Sequence, residues 1–375
     1  MLPVADDARE RALARVRLDA IRGNCEHLGL LLAGGAQLCV VVKAGGYGHG
    51  AAECAHAAQQ GGATWLAVAT AGEAAELRSE GIEGRVLVMG ALTSDETRVA
   101  LDAAADVVAW DARFLDGLPA APASPARVHV KFDTGMGRLG NRDASEVRAL
   151  IEQADSTPGI ELAGLMTHFA TADEHGDGHF PAQLERFRTF LGDLGERREG
   201  LLVHAANSAA TFRDRTAHFD MVRCGIAVYG LDPFQEDPAK LGLEPALSLE
   251  SYVAAVRRFE PGDSAGYGRR WMAAESTWVA TLPIGYGDGW RRALTNDCDV
   301  LIRGRRHPLV GTVSMDNVTV DLGLRTDVEL GDPAVLIGAQ GGERILCEEV
   351  ARRLGTINYE VVCGLGQRVP RRYAE

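Results

Sequence analysis

From residue 37 to about 230, short β-branched apolar runs alternate with longer segments whose apolar residues recur at helical spacing. The apolar runs are QLCVVV (37–42), TWLAVAT (64–70), RVLVMG (85–90), DVVAW (106–110), RVHVKF (127–132), IELAGLMTH (160–168), LLVHAAN (201–207) and MVRCGI (221–226). Between them lie segments such as AAECAHAAQQ, AGEAAELRSE, SDETRVALDAA, DASEVRALIEQA and PAQLERFRTFLGDL. Eight strand-like runs joined by helix-length connections predict a (β/α)8 barrel. An open doubly wound sheet shares this periodicity, but no GxGxxG follows the first run, which counts against a dinucleotide fold.

After about residue 245 the pattern changes. SLESYVAAVRRF, STWVATLPIGY, DVLIRG, HPLVGTVSMDNVTVDL and DPAVLIGA read as strands broken by PGD, GDG, RGRRHP and LGD turns. Only ILCEEVARRLGT (345–356) reads as a helix. The expected architecture is α/β: a barrel domain over residues 1–242, then a mainly-β domain over 243–375. The boundary falls in DPFQEDPAKLGLEP, rich in Pro, Gly and charge.

The length of 375 residues agrees with two domains at about 150 residues each. A net charge of −13 argues against nucleic acid or an anionic membrane as partner. The N-terminus is charged from its sixth residue and has no apolar h-region, so no signal peptide is expected. The longest apolar stretch, Leu28 to Val42, is too short and glycine-rich to span a bilayer. Seven cysteines form no CxxC pair and read as small buried hydrophobes of a reducing, cytoplasmic protein. His168, Asp173, Glu174, His175, Asp177 and His179 lie close in sequence without metal-ligand spacing, so no metal is expected.

One count is unusual. Of 39 basic residues only Lys43, Lys131 and Lys240 are lysines. Codon bias turns interchangeable surface lysines into arginine and explains most of this scarcity; its corollary is that a persisting lysine is a candidate for a place where arginine's chemistry will not serve. Barrel enzymes carry their functional groups just beyond the C-terminal strand ends. Lys43 ends the first run and leads into AGGYGHG with Tyr47 and His49; Asp133 and Arg138 follow the fifth. His168 ends the sixth, Asn207 and Ser208 the seventh, and Arg223 falls in or just after the eighth. A lysine at a barrel mouth points to Schiff-base chemistry, since its amine can lose a proton near neutral pH. Serine, tyrosine and backbone N–H groups at the last two exits suit a phosphate. The combination points to pyridoxal 5′-phosphate.

VVKAGGYGHG, KFDTGMGRLG, MTHFATADE, HAANSAA, MVRCGIAVYG, AGYGRRW, PIGYGDGW, VGTVSMDN and TINYEVVCG with RVPRRY, in that order, strongly resemble the bacterial alanine racemases from about residue 16 onward. The resemblance implies a pyridoxal 5′-phosphate-dependent isomerase that interconverts L- and D-alanine for peptidoglycan, as a homodimer with shared active sites. It implies that Lys43 carries the cofactor, and that Tyr47, Ser208, Tyr359 and the backbone at Gly225 and Ile226 bind its phosphate, with Asn207 beside them. Arg223 matches the arginine facing the pyridine nitrogen, with His168 behind it. Arg138 matches the residue near the phenolic oxygen and the substrate carboxylate. Lys131 matches a lysine carbamylated in many members.

By the same resemblance Tyr267 is the second base, opposite Lys43, while Met315, Asp316 and Tyr286 line the substrate site. In the family, Tyr267, Met315 and Asp316 match positions supplied by the partner subunit. Three positions depart from the family pattern. Gly45 stands where Asn or Asp is common, Gly46 where Ala is usual and Ser314 where Cys is frequent. Gly45 bears on the alternative of a racemase for serine or a broader set of amino acids. A non-catalytic protein of cofactor homeostasis lacks the β domain. A decarboxylase on a related scaffold needs a C-terminal cysteine motif that this chain lacks.

Overall fold

A computed structural model describes residues 10–119 and 124–375. The nine N-terminal residues, part of the stretch read for a leader, lie outside the described residues. The chain divides into two compact units, one of Ile21–Phe234 with Leu241–Leu243, the other of the remaining segments.

The first unit is a closed barrel of eight parallel strands. Counting from β1 (Ala12–Arg17), which lies elsewhere, they are β2 (Gln37–Val41), β3 (Trp65–Val68), β4 (Arg85–Val88), β5 (Asp106–Ala109), β6 (Ala126–Lys131), β7 (Ile160–Met166), β8 (Leu202–His204) and β9 (Met221–Cys224). Closure runs between β2 and β9, which pair Cys39 with Arg223. Most strand residues are buried, because a parallel barrel is covered inside by side chains and outside by helices; hence the continuous Val/Leu/Ala runs. The helices Ala71–Ser79 and Ser94–Asp102 begin with capping boxes, Thr70 with Glu73 and Thr93 with Glu96. β7 carries a register shift against β6, so that Gly164 lies opposite His129.

The second unit is built on a ten-stranded sheet. It takes in both ends of the described chain: β1 pairs antiparallel with β10 (Leu247–Tyr252) and parallel with the final strand Arg371–Ala374. Residues 12–17 thus belong to this sheet and not to the barrel. Among its described residues after the boundary the α-helices are Cys347–Leu354 and Asn358–Cys363; the second, with a Val-Val pair, carries no helical signature in the sequence. Six of the seven cysteines are buried, whereas Cys363 at the end of that helix is exposed. Among the described residues no helix is long and apolar enough to cross a membrane.

Candidate active site

At the barrel mouth the chain turns left-handed straight after Lys43. Ala44, Gly45, Gly46 and Tyr47 have φ of 52°, 61°, 62° and 53°. The Glu73 carboxylate anchors this turn: Oε1 accepts the Ala44 N–H at 2.6 Å, while Oε2 accepts those of Ala69 and Thr70. The turn leaves Lys43 half-buried and sends Tyr47 inward. A Cβ at Gly225 would lie 2.3 Å from Tyr47 Oη, so only glycine lets that hydroxyl reach the backbone there. Ser208 Oγ accepts the N–H groups of Gly225 (3.1 Å) and Ala227 (3.4 Å), which keeps its own proton for another acceptor. Tyr47, Ser208 and the Gly225–Ile226 backbone therefore meet in one place. Asn207 caps the helix Ser208–Arg213 by accepting the Ala210 N–H.

Arg223 is buried beside this cradle. Nη1 donates to His204 Nδ1 at 2.7 Å, and Nη2 donates to the carbonyls of Thr167 and Ala205 and to His168 Nδ1 at 3.1 Å. Burial pulls its pKa down to about 10. Burial, reinforced by Arg223 and then Lys131, Arg138 and Lys43, holds His168 well below the usual imidazole range. His168 is therefore a neutral acceptor. Lys131, at the end of β6, is buried and has its pKa lowered to about 8, first by burial and then by Arg223 and Arg138. Arg138 is exposed, on a loop pinned by Asp133, whose carboxylate accepts the N–H groups of Gly135, Met136 and Gly137 and pairs with Arg142 at 3.1 Å. The sequence-local His/acid cluster disperses: His175 stacks on Phe234 and His179 Nε2 meets the Gly135 carbonyl at 3.1 Å.

In the β unit three loops converge. Thr312 Oγ1 donates to the Tyr267 carbonyl at 2.6 Å, and the N–H groups of Tyr286 and Gly287 bond the carbonyls of Ser314 (3.0 Å) and Met315 (2.9 Å). Gly285 is required there, because a Cβ would lie 2.3 Å from the Ser314 carbonyl. Ser314 Oγ donates to the Asn317 carbonyl and accepts the Asn317 N–H, closing the turn. Asp316 pairs with Arg368 at 2.6 Å. Tyr267, Tyr286 and Met315 project as exposed apolar side chains (74%, 41% and 50%). Tyr359 lies half-buried at the start of the helix Asn358–Cys363.

The profile described as "Alanine racemase, N-terminal domain" matches residues 16–233, and "Alanine racemase, C-terminal domain" matches 246–373. The chain belongs to the alanine racemase family. It is 42% identical to the alanine racemase of Symbiobacterium thermophilum over 98% of each chain. It is 38% identical to alanine racemase 1 of Bacillus subtilis over 96% of this chain and 92% of that one. Among solved structures, the alanine racemase of a D-cycloserine-producing Streptomyces lavendulae superimposes with a TM-score of 0.91 at 37% identity, covering 97% of each chain. That of Bacillus anthracis with bound L-Ala-P gives 0.90 at 37% identity over 98% of this chain and 95% of that one.

Within this alanine racemase barrel, sequence reasoning missed His204, the acceptor behind Arg223, and His129, which follows it. A signal was present: strand alternation puts His129 and Lys131 on one face of an otherwise apolar run. It missed Glu73 as well, which looks like an ordinary capping-box acid until its second oxygen is seen on Ala44.

Proposed function

We propose that the chain interconverts L- and D-alanine with pyridoxal 5′-phosphate as its cofactor. The observation that supports this most directly is the setting of Arg223. Its guanidinium has five N–H groups: the two on Nη2 are shared among His168 Nδ1 and the carbonyls of Thr167 and Ala205, and one on Nη1 goes to His204, so among the described residues the second Nη1 N–H and the Nε N–H remain for a further acceptor, such as a pyridine nitrogen. The neighbouring cradle has the complementary chemistry: the Ser208 and Tyr47 hydroxyls and the Gly225–Ile226 backbone suit a phosphate dianion. These residues fit the cofactor.

Bound pyridoxal 5′-phosphate supplies an electron-withdrawing π system that acidifies the α-C–H of an attached amino acid. Lys43 would hold it through its amine, and the same amine, when free, would exchange a proton at the substrate Cα on the D-face. Tyr267 exchanges a proton through its phenolic oxygen on the L-face. Arg223 directs an N–H at the ring nitrogen without giving up the proton, because a guanidinium stays charged even with its pKa drawn down to about 10. A guanidinium in that place would therefore leave a bound pyridine nitrogen without a proton and so disfavour protonation away from the substrate carbon. Arg138 pairs with the substrate carboxylate. The Lys131 amine, its pKa lowered to about 8, has a neutral fraction near neutral pH whose lone pair can bond the carbon of CO2 with loss of one N–H proton to solvent; the resulting carbamate would give Arg138 an anionic partner. Met315, Asp316 and Tyr286 border the substrate. The exposed Tyr267, Tyr286 and Met315 agree with a homodimer in which each β unit completes the partner subunit's site. We place the enzyme in the cytoplasm, supplying D-alanine for peptidoglycan.

The test is exchange of the α-proton in deuterated water. The cofactor-loaded protein is expected to wash the proton out of both enantiomers. Tyr267→Phe should slow abstraction from L-alanine by about 10²–10³-fold, in the range of lost general-base catalysis, and affect D-alanine far less. Cofactor binding without exchange from either enantiomer refutes the activity, and equal loss on both faces refutes the division of labour.

A further inference from the structure

A chain of buried polar groups crosses the barrel below Arg223. Asp106 Oδ2 faces His129 Nε2 at 3.1 Å, His129 Nδ1 faces His204 Nε2 at 2.8 Å, and His204 Nδ1 faces Arg223 Nη1 at 2.7 Å. The four side chains come from β5, β6, β8 and β9 and are 0–3% exposed. At the far end Asp106 also meets Arg127 (3.2 Å) and Arg85 (3.6 Å). Gly164 on β7 clears the path, since a Cβ there would stand 2.5 Å from His129 Nδ1.

One proton arrangement satisfies this chain. A guanidinium only donates, so His204 Nδ1 must accept and the His204 proton sits on Nε2. That proton needs the lone pair of His129 Nδ1, so the His129 proton sits on Nε2 and points at the carboxylate. A second proton on either ring would set donor against donor. We propose that Asp106 and His129 are positioning residues for racemisation, fixing the tautomer of His204 and thereby the placement of Arg223. The consequence for the reaction rests on the role given to Arg223 above; the tautomers do not. The charges facing the relay are Arg223 and Lys131 at one end and Arg85 and Arg127 with Asp106 at the other. Burial holds both imidazoles below the ordinary histidine range, aided at His204 by Arg223 and at His129 by Arg127 and Arg223 against the pull of Asp106, in keeping with neutral rings.

The test uses the full-length, cofactor-loaded enzyme labelled with ¹⁵N-histidine. Nitrogen shifts of His129 and His204 are expected to show Nε2–H and bare Nδ1 in both, unchanged from roughly pH 6 to 9. A proton on Nδ1 of either ring, or titration in that range, overturns the proposal. Asp106→Leu should mix the His129 tautomers and lower kcat for alanine about tenfold, the size of one lost charge-assisted hydrogen bond. KM should move less than about twofold, since the substrate carboxylate lies with Arg138, not Arg223. Asp106→Asn, which keeps an acceptor oxygen, should restore most of both readouts. A folded Leu variant with parental shifts and kcat overturns the proposal. If that variant does not fold, the parent and Asn spectra decide. The expected tautomers in an enzyme that exchanges no α-proton would uphold the relay and refute the activity.

Discussion

Ala44 pays for its position: a left-handed non-glycine residue costs about 1–2 kcal/mol, and it sits directly after the lysine that the whole site is built around. The Glu73 carboxylate on its N–H offsets that cost and fixes where the Lys43 stem departs. The two glycines that follow differ in a testable way. Gly45 has φ +61° and open space where a Cβ would go; Gly46 has φ +62° and would set a Cβ 3.3 Å from the Ala51 backbone. Gly45→Asn should therefore change stability by no more than about 0.5 kcal/mol, because Asn tolerates this region. Gly45→Ala should lose about 1 kcal/mol and Gly46→Ala about 2 kcal/mol, strain plus crowding. Urea midpoints check the ranking, and Gly45→Ala costing more than Gly46→Ala would sink the steric half of the argument. The lysines also separate at this scale: Lys43 and Lys131 lie at barrel strand ends, whereas Lys240 is a surface residue paired with Glu236 at 2.6 Å.

At the scale of elements, the barrel strands were legible because burial on both faces leaves only apolar runs, and the helices because their apolar residues recur at helical spacing. β1 was not. ALARVR mixes arginine with apolar residues, follows a charged stretch, and finds its partners only at Leu247–Ser251 and Arg371–Ala374. The relay was hidden for another reason: which histidines meet depends on the register shift that brings Gly164 opposite His129, and periodicity does not carry register. The loop after β6 was legible as a site but not as a device. Asp133 gathers three backbone N–H groups into a ring that holds the segment bearing Arg138, and these bonds with the Arg142 pair outweigh its burial to keep its pKa below the usual carboxylate value. Asp133→Asn turns one acceptor into a donor facing donors, a change of about 1–3 kcal/mol. The expected result is a several-fold rise in KM for alanine with a smaller fall in kcat, because Arg138 loses its placement while Lys43 does not. Steady-state kinetics decide it; a fall confined to kcat would contradict the assignment of this loop to substrate binding.

Across the molecule, buried histidines, those of the relay among them, tie folding to pH. His129, His168, His204, His218 and His307 all have pKa values lowered chiefly by burial. In the unfolded chain each would titrate near the usual value of about 6.5. Between the lowered folded value and the unfolded one, the unfolded state binds more protons, so stability rises with pH in that window. Read downward, the contribution is complete above about 6.5 and is lost as pH falls below it, by up to about 1.4 kcal/mol per pH unit for each histidine still neutral in the fold. Carboxylates such as Asp133, lowered by their hydrogen bonds, add their loss only further down, below the ordinary Asp range. Lys131 follows the same rule in a different window: its cost grows as pH falls from the unfolded value of 10.5 to about 8 and is constant below that, so it adds no acid slope. Urea midpoints should therefore be level from roughly pH 8 to 7 and fall steeply between about 6.5 and 5, ahead of carboxylate titration. His218→Gln, outside the Arg223 relay and also buried, should lessen that slope. A midpoint unchanged from pH 6.5 to 5 would mean that these rings take up protons in the folded protein, and the neutral relay beneath Arg223 would fall with it.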